Sequence, residues 1–139
     1  MDSFATPRLV AERLTAAHWP DLRRMDQNEP FMASLGGVRD EAGTVEYMDR
    51  NLAHWEEHGY GLWILRDPAT AALIGRAALR HLDVQGVDEV EVGYGFFPEF
   101  WGHGLATEVA RACVRIGLDG SACGRSWRSP CRPMPRRSG

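Results

Sequence analysis

An α+β fold, built as mixed α/β layers, is what this chain of 139 residues predicts. Three observations lead there. The apolar pattern switches from period 2 to period 3.6 and back, giving the order strand, helix, helix, three strands, helix. The last three strands are separated by short turn signals, so they read as antiparallel neighbours. The third of them runs into a helix through a glycine-bearing turn, Trp101-Gly102-His103-Gly104.

The first strand is Arg8 to Arg13, where apolar and polar residues alternate. Thr15 suits the cap of a helix running to about Asp26, and Asn28-Glu29-Pro30 breaks it. Asp40 and Glu41 open a second helix, since acidic side chains favour the positive helix end. Its Val45, Met48, Leu52 and Trp55 recur at helical spacing and predict one buried face; Gly59 and Gly61 end it. Gly61 to Arg66 is a strand, Asp67-Pro68-Ala69-Thr70 a turn, and Leu73 to Leu82 the returning strand of a hairpin. After a turn at Gln85-Gly86, Glu89 to Phe97 makes a third long strand. Leu105 to Leu118 is a helix with Leu105, Val109, Cys113 and Ile116 on one face.

From residue 119 no period remains, and three prolines fall in the last ten positions. The expected organisation is therefore a domain over 1–118 and an irregular Arg/Pro/Ser-rich tail over 119–139. Charge divides at the same place. Residues 1–118 carry eleven arginines against eighteen acidic residues, a net −7, while 119–139 carry five arginines against one aspartate, a net +4. An acidic body argues against nucleic acid as the main partner, because phosphate contacts dominate such binding. No apolar run reaches membrane-spanning length and the N-terminus has no signal-peptide pattern, so a cytoplasmic protein is expected. Three cysteines without metal spacing argue against a disulfide framework.

The junction 97–107 carries the chemistry. Two glycines at the mouth of a helix allow close approach of a bulky anion. The first amides of a helix have no partner within it and carry partial positive charge. Such a corner binds phosphate or pyrophosphate without lysine, and the chain contains none: all sixteen basic residues are arginine. A plain strand–turn–helix junction is the bland alternative, since Gly-x-Gly alone is weak.

Strand Val90-Glu91-Val92-Gly93-Tyr94-Gly95-Phe96 followed by Pro98-Glu99-Phe100-Trp101-Gly102-His103-Gly104-Leu105-Ala106-Thr107-Glu108 resembles the GCN5-related N-acetyltransferases (GNAT). The similarity points to the branch that acetylates ribosomal-protein N-termini. The opening Thr6-Pro7-Arg8-Leu9-Val10 with Glu12-Arg13-Leu14 fits that branch too. In the family's phosphate motif, Trp101 fills the first place, Gly104 the fourth and Ala106 the sixth. The resemblance implies a central, mostly antiparallel sheet with helices on both sides. It implies acetyl-CoA as co-substrate, an amine acceptor and no metal. Backbone amides of Gly102, His103, Gly104, Leu105, Ala106 and Thr107 would hold the pyrophosphate. Phe96 and Phe97 would offer backbone groups to the pantetheine arm and to the developing oxyanion.

Glu89 and Glu91 alternate onto the strand face that carries Gly93 and Gly95, which predicts a low face with room for a ligand. Glu91 is the candidate general base, acting through a water; the bland alternative is a solvated sheet face. An α-amine with pKa ~8 is about 10% neutral at pH 7, whereas lysine at ~10.4 is neutral far below 0.1%. A weak base therefore serves an N-terminal or similar amine better than lysine.

The family continues with a further strand, a helix and more strands, which form the pantetheine slot and supply an Asn and a Tyr or Ser acid. Residues 123–135 do not match that pattern. A frameshifted or truncated end from about 119 is one expectation, a divergent tail the other. An exposed edge on the last strand then invites pairing with a second chain, so a homodimer, strand exchange or poor solubility is expected. The alternative function is a catalytically impaired module that binds CoA or a protein partner through that edge.

Other signals are weaker. His54-Trp55-Glu56-Glu57-His58 matches H-x-x-E-H, but it sits at a helix end without a clear third ligand, and chance is the better reading. His103 reads as a loop residue offering its N–H. Trp63 and Trp101 read as core or pocket-lining residues.

Overall fold

A computed structural model describes residues 3–118. The proposed tail and any frameshift therefore lie outside the described residues. Five antiparallel strands form one sheet in sequence order: β1 (Phe4–Thr6), β2 (Leu9–Arg13), β3 (Leu62–Arg66), β4 (Leu73–Val84) and β5 (Val87–Phe96). Helices α1 (Trp19–Asp26), α2 (Glu29–Met32) and α3 (Glu41–His58) lie between β2 and β3 in sequence, and α4 (Leu105–Leu118) follows β5.

Side chains alternate across a strand, so the register assigns faces. Arg76, Ala78 and Arg80 of β4 pair with Gly95, Gly93 and Glu91 of β5 and share one face. Hydrogen bonds tie this face to α1 and α3: Arg76 Nη1 donates to Asp26 of α1, and Arg80 Nη2 to Tyr47 of α3. Trp63, Leu65, Ala77 and Phe96 share the opposite face, against which α4 packs. Helices thus cover both sides of the sheet.

Local chemistry explains most element limits. Asp40 Oδ1 accepts from Gly43 N–H and caps α3, while Gly59 ends it at φ 76°, in the left-handed region that glycine adopts without strain. Asp67 Oδ1 accepts from the amides of Ala69 and Thr70 and shapes the β3–β4 turn. Gln85 and Gly86, both at positive φ, join β4 to β5 by a two-residue turn.

Three expectations need correction. β1 was not expected. Three residues are too few to show alternation, and the strand forms because β2 gives it a partner. Asn28-Glu29-Pro30 does not simply break the chain. Asn28 Oδ1 accepts from Phe31 N–H and starts α2, whose first turn tolerates a proline without an amide. Val45 does not lie on the buried face of α3, being 46% exposed. Thr44, Tyr47, Met48, Asn51 and Trp55 do, so polar residues turn the buried stripe away from the apolar count. For α4 the expected face holds: Leu105, Val109, Cys113 and Ile116 are all buried.

Candidate active site

The corner after β5 is open. Phe97 precedes a 3₁₀ turn at Pro98–Phe100, and Trp101 N–H closes it by donating to Pro98 O at 3.0 Å. Gly102 and Gly104 both have φ 79°, a conformation that costs other residues roughly 1–3 kcal/mol. Residues 101–104 are exposed, and a Cβ on Gly102 would meet nothing within 4 Å. The bond from Glu108 N–H to Gly104 O, at 3.1 Å, closes the first turn of α4. The amides of Leu105, Ala106 and Thr107 stand before that ladder begins, where a helix offers donors. Leu105 is buried, Ala106 half-buried and Thr107 exposed.

A clamp absent from the sequence reading fixes this corner. Arg8 Nη1 donates to His103 O at 2.7 Å, and Arg8 Nε to Glu108 Oε1 at 2.8 Å. Glu108 Oε2 accepts from Arg8 N–H at 2.9 Å and from the Thr6 hydroxyl. Burial alone would raise the Glu108 pKa; the bonds from Thr6 and Arg8 outweigh it and hold this carboxyl below its ordinary value. The N-terminal hairpin is therefore tied to the start of α4, and a guanidinium stands beside the turn. The residues involved are nearly a hundred positions apart, and no local pattern links them.

The strand before the corner needs one correction. Phe97 N–H donates to Ile74 O at 3.1 Å, and Phe97 O accepts from Phe100 N–H at 2.9 Å. Phe97 N–H is thus committed inside the fold and cannot serve a ligand, and its carbonyl already accepts one bond. Because bonding alternates along an antiparallel ladder, Phe96 and Tyr94 turn their backbone groups away from β4. No other described strand pairs with β5. Phe96 O accepts from Trp101 Nε1 at 2.9 Å, so Phe96 N–H is the group that remains directed to the edge. Trp101 is not a core residue: it is 54% exposed and its indole is anchored by that bond to Phe96 O, whereas Trp63 is fully buried.

The face expected to be low is only half so. A Cβ on Gly93 would meet nothing, but one on Gly95 would approach Leu35 Cδ1 at 2.9 Å and Phe31 Cζ at 3.0 Å. Residues around α2 fill the space above Gly95. Above Gly93 a cavity of about 420 Å³ opens between β4, β5 and α3, within the range of small-ligand sites. Glu91 stands two residues from Gly93 on the same face, half-buried and opposite Arg80. Glu89 is likewise half-buried.

Arginines line the cavity. Asp26, fully buried, accepts from Arg76 Nη1 at 2.9 Å, Arg39 Nη1 at 3.1 Å and the Thr44 hydroxyl at 2.9 Å. Among the described residues no buried side-chain nitrogen or oxygen lacks a partner. At one end of the cavity His54 Nδ1–H donates to Tyr60 O at 2.8 Å, and Nε2 accepts from His81 N–H at 2.9 Å. Burial pushes the His54 pKa down, the bond to Tyr60 raises it, and neighbouring His58, Arg80 and His81 lower it; the net direction is down. A neutral ring with both nitrogens bonded to backbone is no metal ligand. The described residues hold no group of three or more His, Cys, Asp or Glu suited to a metal ion. No described helix is long and apolar enough to cross a membrane.

Comparison with known proteins adds the family. Residues 8–130 match the family described as "Acetyltransferase (GNAT) domain". The chain is 31% identical over 93 residues to the uncharacterized protein YkkB of Bacillus subtilis strain 168, which covers 66% of this chain and 54% of that protein. It thus spans about half the length of that curated relative. The crystal structure of the acetyltransferase from Agrobacterium tumefaciens C58 superposes with a TM-score of 0.69 at 23% identity, covering 98% of this chain and 76% of that one. RimL, a ribosomal L7/L12 α-N-protein acetyltransferase solved in complex with coenzyme A, gives 0.62 at 13% identity, covering 87% and 71%. Likenesses at such identity establish the fold alone. Because the family match takes in most of the sequence and the sheet and helices agree with it, the chain belongs to the GNAT acetyltransferase family.

Proposed function

We propose that this protein transfers an acetyl group from acetyl-CoA to a primary amine, either a protein N-terminal α-amine or a small-molecule amine. The observation that carries the reading is the open corner. Two glycines at φ 79°, open space beside Gly102 and a helix start with its first amides ahead of the ladder leave room for an anion against backbone. That fits a diphosphate. The amides of Gly102, His103, Gly104, Leu105, Ala106 and Thr107 would hold it, with the indole of Trp101 at the rim. RimL, which shares the fold, was solved with coenzyme A.

Acetyl-CoA supplies an acetyl group activated as a thioester. The chain's part is to orient it, take a proton from the amine and meet the negative charge that develops on the carbonyl oxygen. Phe96 N–H, directed to the edge of β5, is the candidate donor for that oxygen. Glu91 is the candidate base, acting through a water, on the face that leads to the cavity. An acceptor of pKa ~8 asks little of such a base.

One observation favours the alternative. β5 pairs only with β4 among the described residues, so a module that binds CoA or a protein partner, including a second copy, along that edge is the second reading. Turnover separates the two. Thiol release from acetyl-CoA in the presence of N-terminal peptides or small amines supports transfer. CoA binding without thiol release over the same panel supports the binding module.

A further inference from the structure

The cavity above Gly93 is unusual in what surrounds a single aromatic ring. Tyr47, 4% exposed, has the guanidinium of Arg39 4.3 Å from its ring centre, that of Arg76 at 4.6 Å and that of Arg50 at 5.8 Å. A fourth, on Arg80, donates to its hydroxyl at 3.3 Å. Four arginines from α3, β4 and the segment before α3 therefore converge on one residue in a cavity of about 420 Å³. Three acidic groups on this side answer them. Asp26 is shared between Arg39 and Arg76, Glu91 stands opposite Arg80 in the register, and Glu89 lies two residues before Glu91 on the same face. Positive charge is in excess, although residues 1–118 are net acidic.

The four do not have equal duties. Arg76, 4% exposed, and Arg39 are held by Asp26 and build the floor. Arg50 is exposed and Arg80 half-buried, both at the mouth. Guanidinium groups gathered at the mouth of a concave site bind carboxylates and other oxyanions, by paired N–H donors in a fixed fork. Neutral amines gain nothing from them, and a cationic flank is repelled.

We propose that the acceptor amine carries an anionic group, a carboxylate or its equivalent, which Arg50 and Arg80 hold at the mouth of this cavity. This rests on the acetyl-transfer reading and names the acceptor class for it. Two sources share the chemistry: a free amino acid, or the acidic N-terminal residue of a peptide.

The test measures binding without turnover. The full chain is titrated calorimetrically, in the absence of acetyl-CoA, with L-aspartate, with its diamide, which lacks both carboxylates, and with the peptide amide Asp-Ala-Ala-NH2. At least one carboxylate-bearing probe is expected to bind tenfold or more tightly than the diamide. Preference for aspartate identifies a small-molecule acceptor, and preference for the peptide identifies a protein N-terminus. Arg50→Gln and Arg80→Gln are each expected to weaken that probe tenfold or more. Arg111→Gln, an exposed arginine on α4 away from this face, leaves it unchanged. Thermal melts of each variant show whether it folds, and exposed Arg50 keeps the test usable if Arg80→Gln unfolds. Equal affinity for aspartate and diamide, no binding of any probe at millimolar concentration, or equal loss in Arg111→Gln overturns the proposal. None of these results depends on acetyl-CoA, whose own binding and turnover decide the transfer reading separately.

Discussion

The two concave regions of this molecule are built from opposite materials. The corner at 101–107 is made of backbone: two glycines at positive φ and the start of a helix. The cavity above Gly93 is made of side chains: four arginines, a tyrosine and a buried aspartate drawn from two helices, a loop and a strand. A backbone site needs only a short stretch of the right residues in sequence. A side-chain site needs the whole fold to bring its parts together, and one buried carboxylate to keep like charges in place.

That contrast predicts unequal sensitivity. The largest effect is expected at Asp26. Replacing it by Ala leaves Arg76 buried without its carboxylate, which typically costs ~3–5 kcal/mol. Urea denaturation measures it. A loss below 1 kcal/mol would mean that the arginines do not depend on Asp26.

Next come the glycines of the corner. Gly104→Val forces a β-branched residue to φ 79° and sets a side chain beside Arg8, whose Nη2 lies 3.5 Å from where the Cβ would stand. A stability cost of about 1–3 kcal/mol is expected, with loss of CoA binding by calorimetry while aspartate binding persists. Loss of both ligands together in a folded variant would break the separation between the two regions.

A smaller effect is expected at Glu108. Glu108→Gln removes the charge from the clamp on Arg8 and costs about 1–2 kcal/mol at neutral pH. The folded carboxyl titrates below its ordinary value of 4.5, so its contribution is complete above that pH and fades as pH falls through the lower folded value. The wild type should therefore lose its advantage over the variant in acid, read as converging melting temperatures.

The smallest belongs to His54. Its folded pKa lies below the ordinary 6.5, so the unfolded chain takes up more protons and stability falls as pH drops below 6.5. His54→Gln should flatten that slope between pH 6.5 and 5. A slope unchanged in the variant would show that another group titrates.

The same contrast explains what the sequence made legible. The hairpin strands, the α3 cap at Asp40 and the glycine corner each rest on neighbours within a few residues, and each stood out. The ties from Arg8 to His103 and Glu108 span nearly the whole described chain, and the link from Asp26 to Arg76 spans 50 positions. Nothing local marks them. Val45 shows the same limit from the other side. Its spacing suggested burial, but polar Thr44 and Asn51 took the inner face because Asp26 and the Tyr47 carbonyl gave them partners. Phe97 was expected to offer backbone groups, and only its placement beside β4 shows that its N–H is already given to Ile74 O.

The most direct test is a titration of the full chain with acetyl-CoA, followed by calorimetry and by the melting temperature. A bound diphosphate at the open corner predicts a saturable heat and a stabilisation of ~2.7 kcal/mol at a hundredfold excess over Kd, both abolished in Gly104→Val. No heat and no shift in a folded wild-type protein would contradict it, and so would a shift that survives in the variant.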